Sequence, residues 1–191
     1  MTAFAFGESP LISVYLYSIV AGPYKEISSD VKEYQDFKYP MKLYSRQSLA
    51  KYVEKNKEKY FHITKCGIEH YEKIFKTPYA FGKIDQVFIP DFRFGAMENV
   101  GCITYRDDYL EREEKFSDTR FQRTLITFLH ELSHMWFGNL VTMNWWDDLW
   151  LNESFANFIA YQALDIAEGL EEYKTGSSQF INACFWGLAE D

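Results

Sequence analysis

Residues 130–156 read HELSHMWFGNLVTMNWWDDLWLNESFA and contain the most informative pattern in this 191-residue chain. His130 and His134 are four residues apart, so a helix places both side chains on one face. Two imidazoles at this spacing can bind a single zinc ion, and Glu131 is then positioned as a general base toward water. The pattern predicts a helix that carries part of a zinc site, against the alternative of two histidines on a helix surface.

Glu153, in an apolar segment that is predicted to open the next helix, is a candidate third ligand. A catalytic zinc site takes three protein ligands and leaves one position open, a requirement that His130, His134 and Glu153 would meet. Glu153 could instead be a surface acid that is favoured by the dipole at a helix start. Its apolar neighbours favour a buried position, where a carboxylate needs a partner such as zinc. These neighbours are Leu149, Trp150, Leu151 and Phe155.

Two long helices are predicted around these ligands. The first is capped by Ser117 or Asp118 and stops at Gly138, because apolar residues recur at helical spacing between these points. Those residues are Phe121, Leu125, Phe128, Leu129, Leu132, Met135 and Trp136. The second helix is predicted at about residues 149–167 and ends at Gly169. The candidate ligands therefore belong to consecutive helices.

Runs of β-branched and aromatic residues bounded by Gly or Pro predict strands upstream of these helices. They lie at residues 10–21, 41–45, 84–89 and 100–106. The first has apolar residues on both faces, as expected of a strand that is buried on both sides. Helices are predicted at residues 47–59 and 67–76, the second ending before Thr77-Pro78. This order of elements indicates an α+β domain.

Composition and charge exclude several classes of protein. Of the residues, 47% are hydrophobic and 25% are charged, which excludes an intrinsically disordered chain. The formal net charge of −8 repels phosphate backbones, so nucleic acid is not expected as a partner. Cys66, Cys102 and Cys184 form no CxxC pair, and we expect reduced, buried thiols rather than disulfides.

The N-terminal region carries no recognisable signal for export or membrane insertion. No basic residue precedes Lys25, in contrast to a secretory signal. The apolar stretch from Leu11 to Gly22 is too short to span a bilayer. A cytoplasmic location is therefore favoured, and a membrane-bound or secreted protein stays open if a further N-terminal segment carries an anchor or a signal.

GAMEN at residues 95–99, taken together with residues 130–156, resembles the zinc aminopeptidases of the aminopeptidase N type, which are gluzincins. The similarity covers most of the chain from about residue 10, including VFIPDF before GAMEN and GCITYRDDYL after it. The resemblance implies a partial thermolysin-like catalytic domain at residues 23–191. It also implies that residues 1–22 are the C-terminal remnant of an N-terminal β-rich domain, so we expect a truncated fragment of a longer enzyme.

The resemblance implies a substrate-binding role for the GAMEN segment. In the family its glutamate binds the protonated α-amine of the substrate, and Glu98 corresponds to that residue. Gly95 and Ala96 would let the substrate lie against the backbone and form β-like hydrogen bonds. Met97 and Asn99 complete the predicted substrate-binding segment.

Two further positions are assigned from the resemblance. Phe94 corresponds to a position that lines the first side-chain pocket in relatives, where an aromatic ring would favour apolar or long side chains. Ordinary packing of Phe94 is the alternative. Asn157 stands where many relatives carry a carboxylate that supports a ligand histidine, and its carbonyl oxygen is the candidate for that role.

The implied activity is hydrolysis of the N-terminal peptide bond of peptides, with one zinc ion per chain as the cofactor. Zinc polarises the scissile carbonyl, while Glu131 takes a proton from water and returns it to the leaving amine. In relatives a tyrosine beyond the position of Asp191 stabilises the oxyanion, and none of the 14 tyrosines here is assigned that role. Peptides with a free N-terminus are the expected partners, and the oligomeric state is left open.

Two other functions remain open from the sequence. The chain could bind zinc and be catalytically incomplete, because it lacks the oxyanion-stabilising tyrosine of its relatives. It could also resemble the leukotriene hydrolases, which use the same zinc site on an epoxide. Those enzymes carry GGMEN, so Ala96 favours the peptidase.

Overall fold

A mixed sheet of five strands, in the order β1-β2-β3-β5-β4, forms one layer of the fold. The computed structural model describes residue 3, residues 5–112 and residues 118–190, without the side chains of residues 118, 119 and 186–190. The strands are β1 Tyr24–Ile27, β2 Met41–Arg46, β3 Ile84–Ile89, β4 Ala96–Met97 and β5 Cys102–Arg106. β2, β3 and β5 run parallel to one another, whereas β1 and β4 are antiparallel edge strands.

Five α-helices accompany the sheet in the part of the chain that the structure describes. They are α1 Lys32–Gln35, α2 Ala50–Phe75, α3 Asp118–Ser133, α4 Leu149–Ile166 and α5 Gly176–Glu190. Single 3₁₀ turns occur at Val14–Leu16, Gln47–Leu49, Asp107–Tyr109, Trp146–Asp148 and Glu171–Tyr173. Among the described residues, no helix combines the length and the apolar character that a membrane span requires. The described chain is thus α+β, as predicted.

Three of the predicted strands are present in the sheet. Residues 41–45 and 84–89 lie in β2 and β3, as predicted. The strand predicted at residues 100–106 begins two residues later, at Cys102. Gly101 precedes it with a φ of 63°, a left-handed conformation that suits glycine and delays the start of the extended backbone.

α2 is one continuous helix, so the prediction of two helices at residues 47–59 and 67–76 is wrong. Gly67, which was interpreted as a helix start, lies inside α2. A Cβ atom at this position would come within 3.0 Å of Leu129 and 3.2 Å of Leu132 on α3. The glycine is therefore explained by the close approach of α2 and α3 rather than by a break in the helix.

Aromatic side chains join α2 and α3 to the sheet. The rings of Phe128 on α3 and Tyr105 on β5 are fully buried and stack with their centroids 4.4 Å apart. Tyr60 of α2 also stacks on Phe128, at 5.3 Å. The hydroxyl of Tyr71 on α2 donates a hydrogen bond to the carbonyl oxygen of Leu129 at 2.8 Å. This packing fixes the part of α3 that leads into the two histidines.

The segment before β1 does not form the strand predicted at residues 10–21, so that prediction is wrong. It contains only the 3₁₀ turn Val14–Leu16, and no strand of the described sheet pairs with it. Leu11 and Ile19 are 101% and 96% exposed. A strand that is buried on both sides needs neighbours on both faces, and the described residues provide none here. Leu16 is buried, with 1% of its surface exposed.

α3 lies close to its predicted position. It begins at Asp118, whereas Ser117, the alternative cap, lies outside the described residues. It ends at Ser133, five residues before the predicted stop at Gly138, and a tight turn follows in which Gly138 has a φ of 128°. The predicted stop at this glycine is therefore the end of a turn rather than of the helix itself.

The remaining elements differ in how well they were predicted. α4 covers Leu149–Ile166, within one residue of its predicted end, and α2 ends at Phe75, ahead of Pro78 as predicted. β1, β4, α1 and α5 were not predicted, because the first three are only two to four residues long and α5 begins with Gly176-Ser177-Ser178. The division into residues 1–22 and 23–191 stays a prediction.

Candidate metal centre and substrate cleft

The two histidines lie at the C-terminal end of α3 and face each other. The Nε2 atoms of His130 and His134 are 3.0 Å apart, in keeping with their positions one helical turn apart. Their side chains are 13% and 1% exposed. The end of α3 thus presents two imidazole nitrogens at one point.

Glu153, in the second turn of α4, brings a carboxylate oxygen to the same point. Its Oε2 atom is 3.3 Å from Nε2 of His130 and 3.7 Å from Nε2 of His134. All three ligand atoms lie within 4.8 Å of one another. The structure therefore brings together the three residues that were predicted as zinc ligands.

The spacing and chemistry of these atoms fit a zinc ion. Ligands at about 2.0–2.1 Å from a tetrahedral zinc ion lie about 3.4 Å from one another. The separations of 3.0, 3.3 and 3.7 Å bracket this value. Two imidazole nitrogens and one carboxylate oxygen also form a donor set that zinc accepts.

Charge coupling among the three side chains changes their pKa values. Hydrogen bonds with His130 and His134 hold the pKa of the Glu153 carboxyl well below its usual range. Burial would lower the pKa of His134, but contact with Glu153 and the nearby carboxylates raise it to about 9. The pKa of His130 is below its usual value, chiefly because the ring is buried. His134 would have to lose its proton to bind a divalent cation here.

Glu131, the predicted general base, is almost fully buried beside the histidines. The residue is 5% exposed, and its Oε2 atom has no hydrogen-bond partner among the described residues. Burial raises the pKa of its carboxyl to about 8. A carboxyl group with a pKa near neutrality suits proton transfer, and a cation bound next to it would lower this pKa.

A tight turn after α3 holds His134 in position. Nδ1 of His134 is 3.0 Å from the carbonyl oxygen of Phe137, so a proton on Nδ1 is donated there and Nε2 faces the site. The backbone N–H of Asn139 donates to the carbonyl oxygen of His134 at 2.9 Å. A Cβ atom on Gly138 would lie 3.0 Å from Nδ1 of His134, which explains the glycine in this turn.

His130 has no comparable support within the described residues. Its Nδ1 atom is buried and lacks a hydrogen-bond partner. Asn157, the predicted supporting residue, is exposed on α4 and lines the same cleft as Glu153. The Asn157 amide therefore forms no hydrogen bond with Nδ1 of His130 or of His134. A supporting role for Asn157 stays a prediction.

The GAMEN segment runs along the open edge of the sheet, where β4 pairs with β5 on one side only. The carbonyl oxygen of Gly95 accepts a hydrogen bond from the N–H of Arg106 at 2.8 Å. Ala96 is the next residue and lies opposite Tyr105. Because bonded and non-bonded pairs alternate in an antiparallel ladder, the N–H and C=O groups of Ala96 face the open edge. An extended chain could add to the sheet there.

The second half of the GAMEN segment is buried. Glu98 and Asn99 are 5% and 6% exposed. The side-chain amide of Asn99 donates to the carbonyl oxygen of Leu16 at 3.2 Å and accepts from the hydroxyl of Thr104 at 3.0 Å. The carbonyl oxygen of Glu98 accepts from the side-chain amide of Asn139 at 2.8 Å. These bonds connect the segment to the turn that follows the histidines.

A cleft of about 250 Å³ lies over the candidate metal centre. It is lined by Gly95, Ala96, Tyr109, Ile126, Thr127, His130, Glu131, Glu153 and Asn157. Four predicted substrate contacts lie outside this lining: Glu98 and Asn99 are buried, Met97 is half-buried, and Phe94 is 62% exposed. Tyr109 was not assigned from the sequence, although it belongs to the GCITYRDDYL segment that carries the resemblance.

The start of α4 is more exposed than the sequence predicts. The three apolar neighbours on the N-terminal side of Glu153 are Leu149, Trp150 and Leu151, which are 38%, 67% and 42% exposed. The side chain of Glu153 itself is 46% exposed. The prediction that this stretch is buried is therefore wrong, because the first turns of α4 lie at the rim of the described fold. Phe155 does pack inward, against Phe137 at 4.3 Å.

A second side chain was also missed by the sequence analysis. Tyr15 has a buried hydroxyl, and burial followed by the charges of Glu98 and Glu153 raises its pKa to about 12. Tyr15 was not considered as a site residue, because residues 10–21 were assigned to a strand of a separate domain. No local motif marks it, because its position depends on contacts with residues about 80 to 130 positions away.

Residues 60–191 match the model of the peptidase family M1 domain. The chain is 44% identical over 153 residues to aminopeptidase N of Streptomyces lividans, a match that covers 80% of the chain and 17% of that protein. It is 42% identical over 164 residues to aminopeptidase M1-D of Oryza sativa subsp. japonica, with 84% and 18% covered. It is 41% identical over 161 residues to tricorn protease-interacting factor F2 of Thermoplasma volcanium, with 84% and 19% covered. The chain spans less than a fifth of the length of each relative.

Proposed function

The chain belongs to peptidase family M1, and from this we propose that its cleft hydrolyses the N-terminal peptide bond of peptides. The observation that carries the proposal is the convergence of three metal-ligand atoms at one point, next to a cleft that is lined by a buried carboxyl group and an open strand edge. His130, His134 and Glu153 would hold zinc in the thermolysin-like manner. When bound, zinc polarises a carbonyl group and lowers the pKa of water.

Glu131 would act as the general base. It neighbours His130 on α3 and lines the cleft, so its carboxylate can reach a water molecule at the metal centre. In its ionised form the Glu131 carboxylate would take a proton from that water and give it to the departing amine. This proton transfer needs no other acid or base from the described residues.

Glu98 would bind the protonated α-amine of the substrate. Its carboxylate is buried, and among the described residues it forms no ion pair with a lysine or arginine. Burying an unpaired carboxylate is costly, and a substrate ammonium group would offset that cost. A charge-assisted hydrogen bond at this point also fixes the distance from the amine to the scissile bond. Cleavage would therefore be restricted to the first peptide bond.

The open edge at Ala96 would align the substrate chain. Its free N–H and C=O groups can bond to the backbone of an added strand, whatever side chains that strand carries. Peptides with a free N-terminus are thus the proposed partners. The cytoplasmic location and the exclusion of nucleic acid stay predictions.

The test of this function compares L-leucine p-nitroanilide with its N-acetylated form, using the zinc-loaded chain. We expect the free amine to be hydrolysed at least about tenfold faster, because acetylation removes the charge that Glu98 binds. Equal rates for the two substrates would contradict the proposal. A longer version of the polypeptide is measured in parallel, since the chain spans less than a fifth of its relatives.

Substitution of the base provides the second part of this test. Glu131→Gln should keep its zinc and lower kcat by about 10²–10⁴-fold, because the amide cannot take a proton. Glu69→Gln, at an exposed position on α2, is the matched control and should keep both zinc and activity. Retained activity in Glu131→Gln would refute the assignment, and loss of zinc would identify Glu131 as a ligand instead.

A further inference from the structure

The hydroxyl of Tyr15 is buried and lacks a hydrogen-bond partner among the described residues. Buried hydroxyl groups are seldom left unpaired, because they lose their bonds to water without compensation. Tyr60 has a similar hydroxyl, but its ring lies in the core against Phe88 and Phe128. Tyr15 is only half-buried as a residue, so core packing does not explain where its hydroxyl lies.

Two contacts fix the position of Tyr15. Its ring packs edge-on against Trp146, with centroids 5.2 Å apart, in the 3₁₀ turn that leads into α4. The carbonyl oxygen of the next residue, Leu16, accepts a hydrogen bond from the side chain of Asn99 at 3.2 Å. Tyr15 is therefore held between the GAMEN segment and the start of the helix that carries Glu153.

The charged groups that act on the Tyr15 hydroxyl are both acidic. Burial raises the pKa of the phenol first, and the charges of Glu98 and Glu153 add to this effect, to a value of about 12. The phenol thus stays protonated at neutral pH. It can donate its proton to one carboxylate and accept a hydrogen bond from another donor at the same time.

We propose that the Tyr15 hydroxyl accepts a hydrogen bond from the α-ammonium group of the substrate, beside the carboxylates of Glu98 and Glu153. An ammonium group carries three N–H donors, and each needs an acceptor once the group leaves water. The Glu98 carboxylate, the Glu153 oxygen that does not face the histidines, and the Tyr15 hydroxyl supply three acceptors. This inference rests on the proposed aminopeptidase function and adds a substrate-binding residue from the segment before β1.

The proposed role also accounts for the local structure of this segment. Val14 and Tyr17 are 83% and 62% exposed, whereas Leu16 between them is 1% exposed. The chain is thus anchored at Leu16, next to Tyr15. A segment that served only as a connection would not need this anchor.

The test compares Tyr15→Phe with Tyr17→Phe in the full zinc-loaded chain. Tyr17 is two residues away and exposed, so its substitution removes a hydroxyl from the same segment without touching the cleft. Calorimetry measures the Kd of L-leucine and of 4-methylpentanoate, which is leucine without its amino group. Zinc content and Tm are measured on the same samples.

We expect Tyr15→Phe to weaken the binding of L-leucine about tenfold, because one hydrogen bond to a charged group is lost. Binding of 4-methylpentanoate should not change, and Tyr17→Phe should alter neither ligand. With L-leucine p-nitroanilide, Tyr15→Phe should raise KM by a similar factor and leave kcat nearly unchanged, because the hydroxyl contacts the amine rather than the reacting carbonyl.

Unchanged leucine binding in Tyr15→Phe would overturn the proposal, and so would an equal loss for both ligands or a loss confined to kcat. A wild-type chain that binds L-leucine no better than 4-methylpentanoate would contradict the amine site itself and, with it, the proposed function. If Tyr15→Phe does not fold, the ultraviolet difference spectrum of the wild type decides. L-leucine, and not 4-methylpentanoate, should then shift the tyrosine absorption, and no shift would overturn the proposal.

Discussion

The two helices that meet at the candidate metal centre are held in different ways. α3 reaches the site through the core, where Phe128 and Leu129 are fully buried and Tyr71 bonds to the backbone of α3. α4 begins at the rim, where Trp150 is 67% exposed and the side chain of Asp148 makes no capping hydrogen bond. The histidines therefore lie on a helix that is packed in the core, whereas the glutamate lies on a helix whose start is exposed.

This contrast separates the stability of the fold from the formation of the site. The core around α3 contributes to the free energy of unfolding whether or not a metal is present. Glu153, in contrast, is held largely by its contacts with His130 and His134. The other face of α4 is buried, at Ala156, Ala160 and Leu164. A metal ion would join the first turns of α4 to the end of α3.

The largest expected effect tests whether the core around α3 contributes more to the free energy of unfolding than the exposed part of α4 does. Phe128→Ala removes a fully buried ring and should lower the free energy of unfolding by about 3–5 kcal/mol. Phe158→Ala on α4 is the matched control, because that ring is 46% exposed, and it should cost about 1 kcal/mol or less. Urea denaturation measures both. Equal losses in the free energy of unfolding would contradict the proposed difference between the two helices.

A smaller effect tests the close contact behind the histidine helix. Gly67→Ala places a Cβ atom 3.0 Å from Leu129, and overpacking of this kind costs about 1–3 kcal/mol. Alanine regains up to about 1 kcal/mol through its helix propensity, so we expect a net loss of about 1 kcal/mol. Gly7→Ala is the control, since nothing lies within 4 Å of its Cβ position. A stabilised Gly67→Ala protein would show that the two helices can separate at little cost.

The smallest effect concerns the pH dependence of α2, which packs against α3. Burial would raise the pKa of Glu72 on α2, but hydrogen bonds from Lys38, Tyr39 and the N–H of Tyr79 lower it below its usual 4.5. Because the folded pKa is the lower one, this stabilisation is present above about pH 4.5 and is lost as the pH falls through the folded pKa.

Unfolding of Glu72→Gln as a function of pH checks this assignment. The variant should be about 1 kcal/mol less stable than the wild type at pH 7, and the difference should shrink as the pH approaches 3. Glu69→Gln, three residues earlier and with a side chain that is 48% exposed, is the control. A difference that stays constant with pH would exclude titration of Glu72 as its source.

The parts of the site that could be predicted depend on contacts that are local in sequence. His130 and His134 meet because they are one helical turn apart, and the helix around them follows from its apolar spacing. Glu153 was assigned from its position relative to them, and the argument from its four apolar neighbours failed because three of them are exposed. The ligand set was therefore predicted more accurately than its surroundings.

The features that escaped prediction depend on distant contacts. Gly67 has the sequence appearance of a helix break, and only its packing against Leu129 and Leu132 explains it. The apolar residues near Leu11 suggested a buried strand, but burial depends on neighbours that a single segment does not reveal. Tyr15 could be recognised as a candidate site residue only from the fold, which places it between the GAMEN segment and Trp146.

The most direct test of the proposed metal centre is the zinc content of the full chain after dialysis against zinc and then against zinc-free buffer. The geometry of His130, His134 and Glu153 predicts one zinc ion per wild-type chain. It predicts almost none for His134→Gln, because the loss of one of three ligands from a buried position cannot be replaced. A wild-type chain without zinc, or a His134→Gln chain that retains it, would contradict this account.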